Sequence, residues 1–134
     1  MRVRAAIAAL ALAGIAVAGY LTAVHYAHTS PICTTGGCEK VQHSSFAELA
    51  GVPVALLGLL AYIAILATAA VRGVGASLAG AVLGLSGAAF SGYLLWAQFA
   101  RIHAICQWCV GNDAIIAAVA GLCVVRLLRE PSPA

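Results

Sequence analysis

The segment Cys106-Gln107-Trp108-Cys109-Val110-Gly111-Asn112-Asp113, followed by the apolar run from Ala114 to Val125, carries both the chemistry and the architecture of the chain. Two cysteines three positions apart open a run long enough to span a bilayer, which takes about 20 predominantly apolar residues. At a helix start the dipole and the unpaired N–H groups of the first turn favour a thiolate, the form of sulfur that attacks disulfides and electrophiles. A Cys-x-x-Cys in that position reads first as redox chemistry.

The rest of the chain has the same character. Of its 134 residues 63% are hydrophobic and 8% charged, with a mean hydropathy of +1.03. That leaves too little polar sequence to coat a water-soluble core, so the chain is an integral membrane protein. Four apolar runs can be cut from it, about 5–24, 53–71, 76–99 and 106–125. They predict an all-α membrane protein, a four-transmembrane-helix bundle forming a single domain over residues 1–134. The net charge of +3 is small and scattered. It points away from nucleic acid and reads as the few charges that set orientation.

Met1-Arg2-Val3-Arg4 before the first run resembles the basic start of a signal peptide, but the run exceeds the 7–15 or so residues of a signal core and reads as a retained span. Residues 27–52 form the substantial polar loop, with Cys33, Cys38 and Ser44 inside it. Thr34-Thr35-Gly36-Gly37 is turn chemistry that lets the two cysteines meet or part. After it, Glu39 to Ala50 places Val41, Ser45, Phe46 and Leu49 about a turn apart, predicting a short amphipathic half-helix on the membrane surface. Pro53 suits the first turn of the second span. Arg72-Gly73-Val74-Gly75 predicts a tight turn, and Gly80, Gly84, Gly87 and Ser91 give the third span a small-residue face for a close neighbour. Arg2, Arg4, Arg72, Arg126 and Arg129 fall on one side, Lys40 and Arg101 on the other. By the positive-inside rule both termini are cytoplasmic and both cysteine pairs extracytoplasmic, where disulfides persist.

Four of the five cysteines form two close pairs, Cys33/Cys38 and Cys106/Cys109, while Cys123 reads as a small packing residue. Two pairs at one end of a small bundle make a thiol–disulfide relay that needs no metal. The competing readings are a four-cysteine zinc site and two purely structural disulfides. No nucleotide-binding glycine pattern and no haem-attachment motif is present, which leaves a lipid-soluble electron acceptor. The aromatics, Phe90, Tyr93 and Trp108 among them, gather in the middle and outer part of the bundle, an asymmetry that fits a flat ring ligand near Cys109 or a one-sided interfacial belt. Asp113 lies one turn past Cys109 on the same helix face and reads either as a proton carrier for that acceptor or as a structural partner of Arg101. The four histidines read as solvated interfacial residues.

The ordered set of Cys33 and Cys38, the stretch Cys38-Glu39-Lys40-Val41-Gln42-His43-Ser44, then Gly51-Val52-Pro53-Val54 and finally Cys106-Gln107-Trp108-Cys109 resembles bacterial members of the vitamin K epoxide reductase family nearly end to end. The resemblance implies a four-helix bundle around a quinone, ubiquinone or menaquinone, in the bacterial cytoplasmic membrane. It implies that the protein oxidises a thioredoxin-fold partner and reduces the quinone. Carried over, Cys109 is the cysteine beside the quinone that forms the charge-transfer or covalent intermediate, and Cys106 is its disulfide partner. Cys38 exchanges with Cys106, Cys33 meets the partner's thiols, and Ser44 helps hold the loop helix against the site. Cys109, Trp108, Asp113, Phe90 and Tyr93 are the candidates for holding the ring. Two features depart from the animal enzymes: only four residues separate Cys33 from Cys38, and Asp113 stands where those enzymes carry a tyrosine. Vitamin K epoxide is accordingly not the expected substrate. With no thioredoxin domain before Ala134, a separate DsbA-like protein is the expected partner. The alternatives are a DsbB-like enzyme of separate ancestry and, from another class, a membrane scaffold or small transporter with structural disulfides.

Overall fold

The computed structural model describes residues 2–27, 48–49, 52–103 and 106–129. Four helices dominate it: α1 (Arg2–Tyr26), α2 (Val54–Ala70), α3 (Val74–Ala97) and α4 (Gln107–Arg129), with α3 running on into a π-helical segment, Gln98–Ile102. Each is apolar nearly all round, as a helix must be when one face meets its neighbours and the other meets lipid. Three stretches are long and apolar enough to cross a membrane, Arg2–Tyr26, Val74–Ile102 and Gln107–Arg129. At 17 residues α2 rises only about 25 Å, against a hydrocarbon core of roughly 30 Å.

The limits of α2 follow from its flanks. Pro53 precedes it with extended backbone (φ −58°, ψ 133°), giving up no helical N–H, and Val71 ends it in the extended region. Gly73 then takes φ +119°, a conformation that disfavours any side chain, and α3 starts at Val74. The tight turn expected at Arg72–Gly75 is found, but shorter, because Val74 and Gly75 already belong to α3.

The helices go round the bundle in chain order: α1 packs on α2, α2 on α3, α3 on α4, and α4 back on α1. Arg4 of α1 donates to the Ala69 carbonyl (2.8 Å), while Arg126 of α4 donates to the carbonyls of Thr68 (2.8 Å) and Val71 (2.5 Å). Two arginines thus cap the C-terminal end of α2, meeting the carbonyls of Ala69 and of the C-cap Val71 and sharing that of Thr68 with the Val71 N–H (3.3 Å). They place the start of α1 and the ends of α2 and α4 together, and Cys106 and Cys109 at the opposite end of α4.

The core joins Ile7, Ala11 and Ala18 of α1 to Tyr62 and Ile65 of α2 and to Ile116, Val119 and Cys123 of α4. Close approach is made by the small-residue face of α3: a methyl group at Gly84 would sit 3.1 Å from the Ala120 backbone, and one at Gly87 3.1 Å from Ile116. On α1, a methyl group at Gly14 would overlap the Tyr62 ring. Cys123 is buried against Gly80, in keeping with a packing role.

Two expectations are revised. Glu48–Leu49 is a strand, β1, paired antiparallel with β2 (Val52–Pro53) in the register Glu48↔Pro53 and Leu49↔Val52, so the expected half-helix does not extend through these residues. A ladder with β2 satisfies backbone groups that a helix would have turned inward. The rest of that half-helix lies outside the described residues. The third helical rod also continues three residues past the expected 99, because the π-helical segment closes only at His103, whose left-handed backbone (φ 55°) donates its N–H to the Gln98 carbonyl.

Candidate functional site

A cavity of about 120 Å³ lies inside the cysteine end of the bundle, with walls from all four helices and the π-helical segment. It is close in size to an engineered apolar cavity of about 150 Å³ that admits benzene. Small side chains make the room: Ala18 on α1, Ala55, Gly58 and Ala61 on α2, Gly87 and Ser91 on α3. Leu21, Val54, Phe90, Leu94, Ile102 and Ile116 make most of its surface apolar. Tyr62, Ser91, Gln98, Asn112, Asp113 and Cys109 bring polar atoms or sulfur to it.

The start of α4 explains the placement of both cysteines. Cys106 precedes the first helical residue and its carbonyl accepts the Val110 N–H (2.9 Å), which makes it the N-cap. Its Sγ accepts the Cys109 N–H at 3.3 Å, the position a capping serine or aspartate oxygen would fill. Negative charge on that sulfur meets a backbone donor and the positive end of the α4 dipole. Cys106 is wholly buried, whereas Cys109, three residues on, is half-buried and lines the cavity.

One turn further along α4, Asp113 also faces the cavity, with its carboxyl hydrogen-bonded by Ser91 of α3. Its Oδ2 is buried and has no hydrogen-bond partner among the described residues. Leaving such an atom unmet costs about 1–3 kcal/mol or more, which makes it an acceptor for a hydrogen-bonding group in the cavity. The alternative of a structural pair with Arg101 is not what the fold makes: that guanidinium lies over the Trp96 ring, 5.7 Å from its centre. Beside Asp113, Asn112 accepts the Tyr62 hydroxyl on its Oδ1 at 2.8 Å, a bond that joins α2 to α4 across the bundle.

Of the residues proposed from the sequence to hold a ring, the fold brings Cys109, Asp113 and Phe90 to the cavity. Trp108 packs instead on Tyr20 of α1 (ring centres 4.9 Å apart), and Tyr93 stacks between Phe90 and Trp96 on a half-exposed outer face. Neither lines the cavity. Cys33, Cys38 and Ser44 lie outside the described residues, as do His28 and His43. Tyr62, Asn112, Ser91 and Gln98 were not singled out for the site. The signal that marks them is a hydrogen-bonding side chain inside an otherwise apolar span, which seeks a partner because lipid offers none. Among the described residues no group of three histidines, cysteines or carboxylates could hold a metal ion.

Residues 5–124 of the chain match the sequence profile described as the Vitamin K epoxide reductase family.

Proposed function

The chain belongs to the vitamin K epoxide reductase family, which makes it a membrane oxidoreductase working between disulfides and quinones, and from that premise we propose that it is a thiol oxidase of the bacterial cytoplasmic membrane. Electrons enter from a separate, reduced DsbA-like thioredoxin-fold protein at Cys33 and Cys38, pass by thiol–disulfide exchange to Cys106 and Cys109, and leave to ubiquinone or menaquinone. Two thiols of the partner become one disulfide and yield two electrons and two protons. One quinone takes these up and becomes one hydroquinone.

The residues on the cavity wall fit a quinone. The walls are apolar and the space is ring-sized, and the buried Oδ2 of Asp113 needs a partner. In this reading Cys109 is the sulfur nearest the acceptor, and Cys106, held as the N-cap, closes the disulfide with it. Asp113, oriented by Ser91, holds the proton that moves at the cavity. Tyr62 and Asn112 brace the wall, and the apolar lining excludes water from the exchange. Four crossings are completed by α2, whose short span is extended by Val52 and Pro53. Arg2, Arg4, Arg72, Arg126 and Arg129 cluster at the end away from the cysteines, which supports cytoplasmic termini and an extracytoplasmic site.

The observation that carries the reading is that Cys109 and the unmet oxygen of Asp113 share the wall of one ring-sized cavity, with Cys106 capping the helix that bears both. The test is anaerobic reduction of a short-chain ubiquinone and of a menaquinone analogue by the purified protein supplied with a reduced DsbA-like protein. Reduction of at least one is expected. None, with the cysteines fully oxidised throughout, would indicate structural disulfides.

A further inference from the structure

Gln98 is the first residue of the π-helical segment, only 2% exposed, and it belongs to the cavity wall. Its backbone is held on both sides: its N–H reaches the carbonyls of Leu94 and Leu95, and its own carbonyl accepts the His103 N–H. Its side chain does something different. Oε1 accepts the backbone N–H of Cys106 at 2.9 Å, a buried bond spanning eight residues. A backbone N–H can be met only by the oxygen end of a carboxamide, so the orientation of the amide follows from the chemistry and the NH₂ is the end not engaged by Cys106. Cys106 is in turn the residue whose sulfur caps α4.

We propose that Gln98 is a positioning residue that couples the acceptor cavity to the first cysteine of the Cys-x-x-Cys pair: its carbonyl oxygen holds Cys106 in the N-cap position, while its NH₂ donates to an oxygen of the bound quinone. The inference rests on the quinone reading of the cavity. One rigid, planar group spans the two partners. A ligand oxygen that engages the NH₂ therefore restrains the same carboxamide that anchors Cys106, and a filled cavity steadies the N-cap from which the Cys106 sulfur must reach Cys109. The amide's two ends supply separable functions, an acceptor for the protein backbone and a donor for the ligand.

The experiment uses the full-length protein in its oxidised form, so that no turnover occurs, with a short-chain ubiquinone and menadione as probes. Two quantities are followed: equilibrium probe binding, and hydrogen exchange of the Cys106 amide with and without probe. In the intact protein, probe binding is expected to slow that exchange. Gln98→Met matches the side chain in length but offers neither the carbonyl acceptor nor the NH₂ donor. It should weaken binding roughly 3- to 10-fold, the worth of one hydrogen bond, speed exchange at Cys106, and abolish its response to probe. Gln98→Glu keeps an acceptor in either protonation state but has a donor only when protonated. Its Cys106 amide should stay protected throughout, while its probe affinity should match the intact protein at low pH and fall as pH rises.

Thermal unfolding of each variant separates these effects from loss of fold. Intact binding and an intact probe response in folded Gln98→Met would overturn the proposal, as would Gln98→Glu behaving like Gln98→Met at every pH. If the unaltered protein binds neither probe, the quinone reading of the cavity fails, and Gln98 is left only its bond to Cys106.

Discussion

In the proposed mechanism Asp113 is the residue that holds the proton at the cavity. Its carboxyl is oriented by Ser91 and one oxygen is buried without a partner among the described residues. Asp113→Asn keeps the shape and a hydrogen-bonding side chain but cannot carry a proton. If Asp113 moves the proton, the variant should bind an oxidised quinone within about threefold of the intact protein and lose turnover by about 100-fold, the ordinary scale of acid–base assistance. Steady-state quinone reduction compared with equilibrium binding checks this, and unchanged turnover would make Asp113 a wall residue only. The sequence already placed Asp113 on the face of Cys109, because four residues make nearly one helical turn. It could not supply Ser91 as the partner, since that contact joins two helices. The same limit hid the bond between Tyr62 and Asn112, which are 50 positions apart.

At the scale of elements, the end of α2 is held by side chains from two other helices. Arg4 and Arg126 donate to carbonyls of its last turn and C-cap, and Arg126 is only 5% exposed. Replacing Arg126 with methionine preserves most of the apolar stem and strips two charge-assisted bonds. A loss of about 1.5–3 kcal/mol per bond is the upper scale, so a clear fall in thermal stability in detergent is expected, with quinone reduction retained at temperatures where the variant is folded. Little change in unfolding temperature would show that water or lipid headgroups satisfy the carbonyls equally well. The four helical runs were legible because apolar length is a composition signal that survives without knowledge of neighbours. The small-residue face of α3 was legible for a similar reason: glycine spacing is local, and Gly84 and Gly87 do meet α4. β1 and the π-helical segment were not. Glu48–Leu49 pairs with residues just beyond it rather than within its own turn, and i→i+5 bonding at Gln98–Ile102 uses residues equally at home in an α-helix.

For the whole molecule, the bundle has two unlike ends. One gathers arginines and the paired ends of α1, α2 and α4, and the other holds the cavity and the Cys-x-x-Cys pair. Single cysteines placed at Val71 and at His103, in a background without the other cysteines, should differ in labelling by a membrane-impermeant maleimide. His103 should label in intact cells and Val71 only after permeabilisation. The reverse pattern would invert the proposed orientation. The bundle class could be foreseen because 63% hydrophobic composition excludes a soluble fold. The cavity could not, because its wall is assembled from every helix, with glycines such as Gly58 and Gly87 from different helices on it.

In the proposed reaction, electrons from thiols leave the protein through Cys109 into a quinone in this cavity. This route is tested most directly by anaerobic titration of the membrane protein with a reduced DsbA-like partner and quinone, following partner disulfide and hydroquinone together, in the intact chain and in Cys109→Ala. One hydroquinone per partner disulfide is expected over repeated turnovers of the intact protein; the variant should yield no hydroquinone and at most the single partner disulfide that its own Cys33–Cys38 disulfide can make, with its fold retained by thermal unfolding. Equal yields of both products from the Cys109→Ala protein would contradict this route.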